Sequence, residues 1–254
     1  MNGIFYEYPP TVFASTFAVQ WVAAYMGDFL RRRGAPIEET ARKDFGTILP
    51  AALTLLGLII GFSFSMASSR YDQRKTLEEA EANAIGTEYV RADLMPTAQA
   101  AQIRELLVKY AAQRILFYQD TDAARLRQVD RETAVLQNEL WHAVTSPALA
   151  APTPVAALVV AGMNDVLNSQ GYTQAAWWNR LPAGAWVLLI LVAIASNFLF
   201  GYSERRDGRV RLMLLPLIVS VPLFLIADID TPRSGIIHVV PQNLIALVKS
   251  LGAQ

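Results

Sequence analysis

The sequence contains no cysteine. That excludes disulfides, thiolate metal sites and cysteine nucleophiles, and it leaves the redox compartment open. Histidine is scarce as well. His142 and His238 stand far apart and join no ligand set with the acidic residues. The chain has no glycine-rich phosphate loop, no HExxH and no nucleophile elbow. No catalytic residue, metal or cofactor is expected on these grounds, and the chain does not read as an enzyme. Charge is thin: 17% of residues are Asp, Glu, Lys or Arg, against about 25% in soluble domains. The net charge is zero, so the basic surplus that a nucleic-acid partner demands is missing. Lys and Arg are also absent from Met1 to Pro10, ahead of the first apolar run. A secretory leader starts basic and ends at a small-residue cleavage site, so this run is expected to be a retained span.

What the chain has is apolar residues, 53% of its 254, gathered into stretches. A helix needs about 20 residues to cross a bilayer core. The first candidate runs from Thr11 to Met26 with Gln20 inside it, and Pro36 breaks the connection that follows. The second is the clearest: Gly46 to Ser69 carries no charge, and Arg70 closes it. Pro50 sits near its start, where a missing N–H costs least. The third, Leu181 to Ser203, has Trp186 and Tyr202 near its two ends, as interfacial aromatics do. The fourth, Leu212 to Ala227, contains Pro216 and Pro222, which a membrane helix tolerates when neighbours satisfy the freed carbonyls.

Between the second and third candidates the pattern is that of amphipathic helices. Thr76 to Leu94 places Leu77, Ala80, Ala84 and Ile85 on one stripe; Ala98 to Tyr118 and Asp122 to Val144 follow. Ala143 to Asn164 is free of charge, but Pro147, Pro152 and Pro154 interrupt it, so a buried helix is expected there rather than a span. Glu78, Glu79 and Glu81 form an acidic run. A solvated helix face is expected rather than a cation site, because Glu78 and Glu79 point in different directions. In the tail, Leu244, Leu247, Val248 and Leu251 make one face of a short helix, expected to lie at the membrane interface. The expected fold is an all-α membrane protein. Four transmembrane helices carry a water-exposed helical bundle inserted between the second and third. The expected regions are 1–69, 70–180 and 181–254, the last ending in the interfacial segment.

Four crossings put both termini and the bundle on one side. The two short connections are basic, through Arg31, Arg32, Arg33, Arg42 and Lys43 in one and Arg205, Arg206, Arg209 and Arg211 in the other. Short basic loops stay in the cytoplasm, so the termini and bundle are expected outside. Arg70, Arg74 and Lys75 flank the opposite end of the second span and oppose that bias.

Within the second span, Gly57, Gly61, Ser65 and Ser69 fall at four-residue steps. Such a row lets another helix approach the backbone closely, either within the chain or between subunits around an axis. Beside it run Leu58, Phe62 and Met66, again at four-residue steps. They face lipid or a neighbouring helix, or they line a narrow hydrophobic constriction that gates by excluding water. Arg70 ends the second span, and Asp228 and Asp230 end the fourth, on the same side. Ionisable groups at a membrane boundary find partners, so Arg70 is expected to pair with Asp228 or Asp230.

Three segments resemble the bacterial bestrophin-like domain family. They are Leu55-Leu56-Gly57-Leu58 through Ser68-Ser69-Arg70-Tyr71-Asp72 to Asn83-Ala84-Ile85-Gly86; Asn164-Asp165-Val166-Leu167 through Arg180-Leu181-Pro182 to Trp186; and Asp228-Ile229-Asp230-Thr231-Pro232-Arg233-Ser234-Gly235-Ile236. The family's name records a more distant similarity to bestrophins, pentameric anion channels with four membrane helices per subunit. Gly61-Phe62, with Arg70 eight positions after the phenylalanine, matches a bestrophin pattern in the second span. The resemblance places Phe62 and Leu58 in a hydrophobic neck, and Thr54 departs from it by being polar. No aspartate-rich run resembles the calcium clasp of animal bestrophins. Bestrophins also keep their termini in the cytoplasm, against the charge bias here. By resemblance the chain is expected to be a homo-oligomeric anion channel in the bacterial inner membrane, pentameric, with the lipid bilayer and an inorganic anion as its partners. A non-conducting scaffold or sensor that binds a partner through its helical bundle is the alternative, and a shared fold does not choose between them.

Overall fold

The computed structural model describes residues 9–34, 39–203, 210–233 and 235–252, without the side chains of 39–43. Arg205, Arg206, Arg209 and Ser234, and the side chains of Arg42 and Lys43, lie outside the described residues. Among the described residues eight α-helices follow one another: α1 (Pro9–Arg33), α2 (Glu39–Arg91), α3 (Thr97–Gln119), α4 (Ala123–Ala150), α5 (Pro154–Trp178), α6 (Ala183–Ser203), α7 (Arg211–Asp230) and α8 (Gln242–Leu251), with a short 3-10 turn at Ala92–Leu94. Among the described residues there is no strand. The chain divides into two compact units, 1–70 with 180–238 and 71–179 with 239–254.

Local chemistry sets the helix ends. Asp122 caps α4 by accepting from the N–H groups of Ala124 and Arg125 at 2.9 and 2.8 Å. Thr153 caps α5 by accepting from Ala156, and Pro154 takes the first helical position, where its missing N–H is harmless. Pro147, expected to interrupt the chain, instead lies inside α4. It falls in the last turn, where losing one intrahelical bond leaves the helix able to continue to Ala150.

In the first unit, α1 packs against α6 and α7. The contact between α1 and α6 is backbone to backbone: a Cβ on Gly27 would collide with the Phe198 carbonyl, and one on Gly201 with the Ala24 carbonyl. Three stretches are long and apolar enough to cross a membrane by length and composition, one within Asp44–Leu94, one within Pro154–Ser203, and Arg211–Asp230. The 25-residue α1 is not among them, being diluted by Ser15, Thr16, Gln20 and Asp28. Its Gln20 is nonetheless buried. Its Nε2 donates to Ser220 Oγ of α7 at 3.2 Å, and its Oε1 accepts from Asn197 Nδ2 of α6 at 2.9 Å.

The second unit has its own core, through Ile85, Ile103, Leu107, Tyr110, Phe117, Leu140, Val159, Met163 and Leu244. The rings of Phe117, Tyr118 and Trp177 meet edge to face at 5.1–5.5 Å. Helix α8 belongs to this core. Its Leu244 is fully buried, with Leu247 and Val248 packed around it, where an interfacial helix was expected. The apolar face is the one the sequence marks; the surface that covers it is protein.

Candidate functional site

The face of α2 between Gly46 and Ser69 is divided. Leu56, Ser63 and Ala67 are buried. The opposite side is open: Leu58 is 54%, Phe62 64% and Met66 44% exposed. Of the small-residue row, Ser65 and Ser69 are exposed, and a Cβ on Gly57 or Gly61 would meet nothing within 4 Å. Among the described residues, no other helix approaches Gly57 or Gly61 of the row. Thr54 turns its hydroxyl back to the Pro50 carbonyl at 2.8 Å, which satisfies the one polar group that departs from an apolar neck. In the most apolar window of α2, 6% of residues are buried, against 50% in α7.

Just beyond this face, the three resembling segments converge on Asp230. Arg70 Nη1 lies 3.5 Å from Asp230 Oδ1, with both side chains largely buried. The Leu181 N–H donates to both oxygens of Asp230 at 3.0 Å. Asp228 does not join the pair. Its two oxygens accept from the N–H groups of Ile236 and Ile237 at 2.7 and 2.8 Å, and Gly235 lets the backbone close over it. So one acid anchors α2 at Arg70 to the start of α6, and the other folds the loop after α7.

The acidic run is not a solvated face. Glu78 and Glu81 are buried, as is Arg74, and Glu79 alone of the run is exposed. Each buried charge serves a helix end or a partner. Arg74 donates to the Ala176 and Asn179 carbonyls at the C-terminus of α5, where a cation is favoured. Glu78 accepts from the Leu244 N–H at 2.9 Å and from Asn243 Nδ2 at 2.7 Å, capping α8. Glu81 pairs with Arg114 and accepts from Tyr118 at 3.1 Å and Thr173 at 3.2 Å. Burial pushes the Tyr118 hydroxyl far up, as does the Glu81 charge beside it. The signal that finds these residues is spacing: 74, 78, 81, 85, 88 and 92 share one face, and that face contains Ile85 and Ala92 of the core.

The basic connections bear on orientation only in part. Arg31 and Arg32 both pair with Asp28, at 2.8 and 2.7 Å, and Arg33 stacks over Phe29. Among the described residues, no group of three or more His, Cys, Asp or Glu side chains is placed to hold a metal.

The sequence model of the Bestrophin-like domain family matches residues 16–244. No curated protein matches the chain. Among solved structures, two substituted forms of a bacterial bestrophin homolog from Klebsiella pneumoniae share its fold. One has a TM-score of 0.64 at 13% identity, covering 95% of this chain and 94% of that one. The other has the same score and identity, covering 97% and 99%. A further structure of the Klebsiella pneumoniae homolog has a TM-score of 0.62 at 14% identity, covering 94% and 97%.

Proposed function

The chain belongs to the bestrophin-like domain family, and from that premise we propose that it is a homo-oligomeric anion channel of the bacterial inner membrane. Four helices cross the bilayer: α1, the charge-free part of α2, α6 and α7. Gln20 is no obstacle to the first crossing, since its amide is paired within the helix group and a membrane helix needs its polar groups satisfied. The helices of 71–179 and 239–254 stay in water. Copies of α2 surround the axis, five by resemblance. Gly57, Gly61, Ser65 and Ser69 bring them together, and Leu58, Phe62 and Met66 narrow the path for an inorganic anion. The short basic connections face the cytoplasm.

One observation carries this reading. Of the three stretches apolar enough to cross a membrane, the one in α2 is the least covered, and its open side combines small residues with an apolar row. In a bilayer, small residues are what helices use to meet. Purified protein in planar bilayers should carry anion current, and Phe62→Ala should change its amplitude or open probability. Silence from the wild type, with no change in Phe62→Ala, sinks the proposal. A specific observation supports the scaffold alternative. No Lys or Arg lies between Gly46 and Ser69, so the same assembly with a permanently dry axis holds subunits together without conducting. An oligomer whose second spans cross-link at Gly57 and Gly61, yet which passes no ion, selects it.

A further inference from the structure

A groove of about 760 Å³ opens within the second unit between α2 and α8. Asn83, Thr87 and Arg91 descend one wall at four-residue steps, and Asn243 and Ser250 stand on the other. Gly86 is the floor: a Cβ there would lie 3.1 Å from Leu247 Cδ1. Among the described residues, the lining contains one cation, Arg91, and no carboxylate. Arg91 lies 3.9 Å from Glu88 Oε2, beyond hydrogen-bond reach. Glu88 sits one turn back on α2, fully buried, with neither carboxylate oxygen hydrogen-bonded; its Oε2 and Arg91 Nη1 both lie against Gly162 of α5, and the Arg91 side chain remains 37% exposed. The charged groups that act on Glu88 are Arg91 on its own helix and Asp165 on α5. Helix α8 brings no acid, and its Lys249 is exposed.

We propose that this groove binds a small organic carboxylate, held by the Arg91 guanidinium together with Asn83, Thr87 and Asn243, and that Glu88 competes with the ligand for Arg91. A guanidinium fork matches a carboxylate in two parallel hydrogen bonds. Val90 and Leu247 give the organic part an apolar wall, and the volume falls in the range of small-molecule sites. Burial pushes the Glu88 carboxyl up to about 8. At neutral pH it is therefore uncharged and leaves Arg91 to the ligand. At higher pH it ionises, repels the anion and holds the guanidinium against α5. Asn83 and Gly86 belong to one of the segments that carry the family resemblance, and conduction through α2 assigns neither a role. The site does not rest on the channel reading.

The test is calorimetric titration of the purified full-length protein in amphipol with benzoate, acetate and inorganic phosphate. At pH 6.5 benzoate should saturate the wild type and bind more tightly than acetate. Arg91→Gln should weaken benzoate by about ten- to a hundredfold, as loss of a charge-assisted hydrogen bond does. Gly86→Leu, which fills the groove and leaves every charge in place, should abolish binding. These two variants act through different physics, so one that melts like the wild type suffices. Between pH 6.5 and 9.5 the wild type should lose about tenfold, while Glu88→Gln binds alike at both. The site is overturned if benzoate does not saturate the wild type, if phosphate alone binds, or if the folded variants bind like the wild type. Equal weakening of the wild type and Glu88→Gln at high pH removes Glu88 from it. Bilayer currents from the same preparations report on conduction separately.

Discussion

Between Gly46 and Ser69, α2 carries no charge and leaves Leu58, Phe62 and Met66 open; between Arg70 and Arg91, the same helix turns Arg74, Glu78, Glu81 and Glu88 inward. The first stretch has little to hold it within its protomer, because lipid or another copy solvates an apolar face as well as a protein core does. The second stretch lies among amphipathic helices whose core can exclude water. There a buried charge persists only when it is paired or caps a helix end, and Arg74, Glu78 and Glu81 each do so. The two stretches differ in what burial costs, and substitutions should separate them.

The largest effect is expected at the Glu81–Arg114 pair. Both side chains are fully buried, so Arg114→Leu should strand a carboxylate and cost about 3–5 kcal/mol. The double variant Glu81→Leu with Arg114→Leu should regain much of that loss, since a well-packed apolar pair replaces a buried ion pair at little cost. Phe62→Ala on the open face should leave protomer stability almost untouched, for there is no cavity to create. Thermal melting followed by tryptophan fluorescence reads all three, with Trp177 reporting from the core. If Arg114→Leu proves as mild as Phe62→Ala, the contrast between the stretches collapses.

Next comes pH. The Glu88 carboxyl is raised from 4.5 to about 8 by burial, so the folded protein holds a proton there that the unfolded chain gives up above pH 4.5. The contribution of Glu88 to stability is greatest below 4.5, falls as pH rises towards 8, and levels off beyond. Melting temperatures from pH 5 to 9 should follow that slope, and Glu88→Gln should flatten it. A wild-type curve parallel to that of Glu88→Gln would show that Glu88 ionises freely in the folded state.

The glycines sharpen the comparison within the first unit. Gly201→Val drives a side chain into the Ala24 backbone and should cost about 1–3 kcal/mol or more. Gly61→Ala meets open space and should stabilise the isolated protomer by up to about 1 kcal/mol through helix propensity. Its cost, if α2 helices meet one another, falls on assembly. Size-exclusion chromatography with light scattering should then detect a looser oligomer from a better-folded subunit.

The sequence marks the helices well, because a charge-free run and a 3.6-residue stripe are local patterns. It also marks Arg70 and Asp230, since both stand where a charge-free apolar run gives way to charge. It is misleading at Glu78 and Glu81, where composition suggests solvent. Whether a glutamate is buried depends on a partner distant in the chain, such as Arg114 or the N-terminus of α8, and no local pattern contains it. The same holds for Gly27 and Gly201, whose partners are backbone carbonyls. For α8 the sequence gives the apolar face but not its cover, since lipid and protein accept Leu244 equally.

The smallest coupling is expected where the sequence expectation of a pair is most direct. Arg70 and Asp230 stand 3.5 Å apart, but Asp230 also accepts from the Leu181 N–H. The two roles make the single variants unequal. Asp230→Ala orphans a buried backbone donor as well as the guanidinium, and should cost about 1–3 kcal/mol. Arg70→Ala leaves the Leu181 bond in place and should cost less. A double-mutant cycle by thermal melting should therefore give a coupling of only about 0.5–1 kcal/mol. Removing Arg70 from the Asp230→Ala protein should not rescue it, because the Leu181 donor stays unpaired. Full rescue would assign the anchor to charge alone and leave the backbone bond without a structural role.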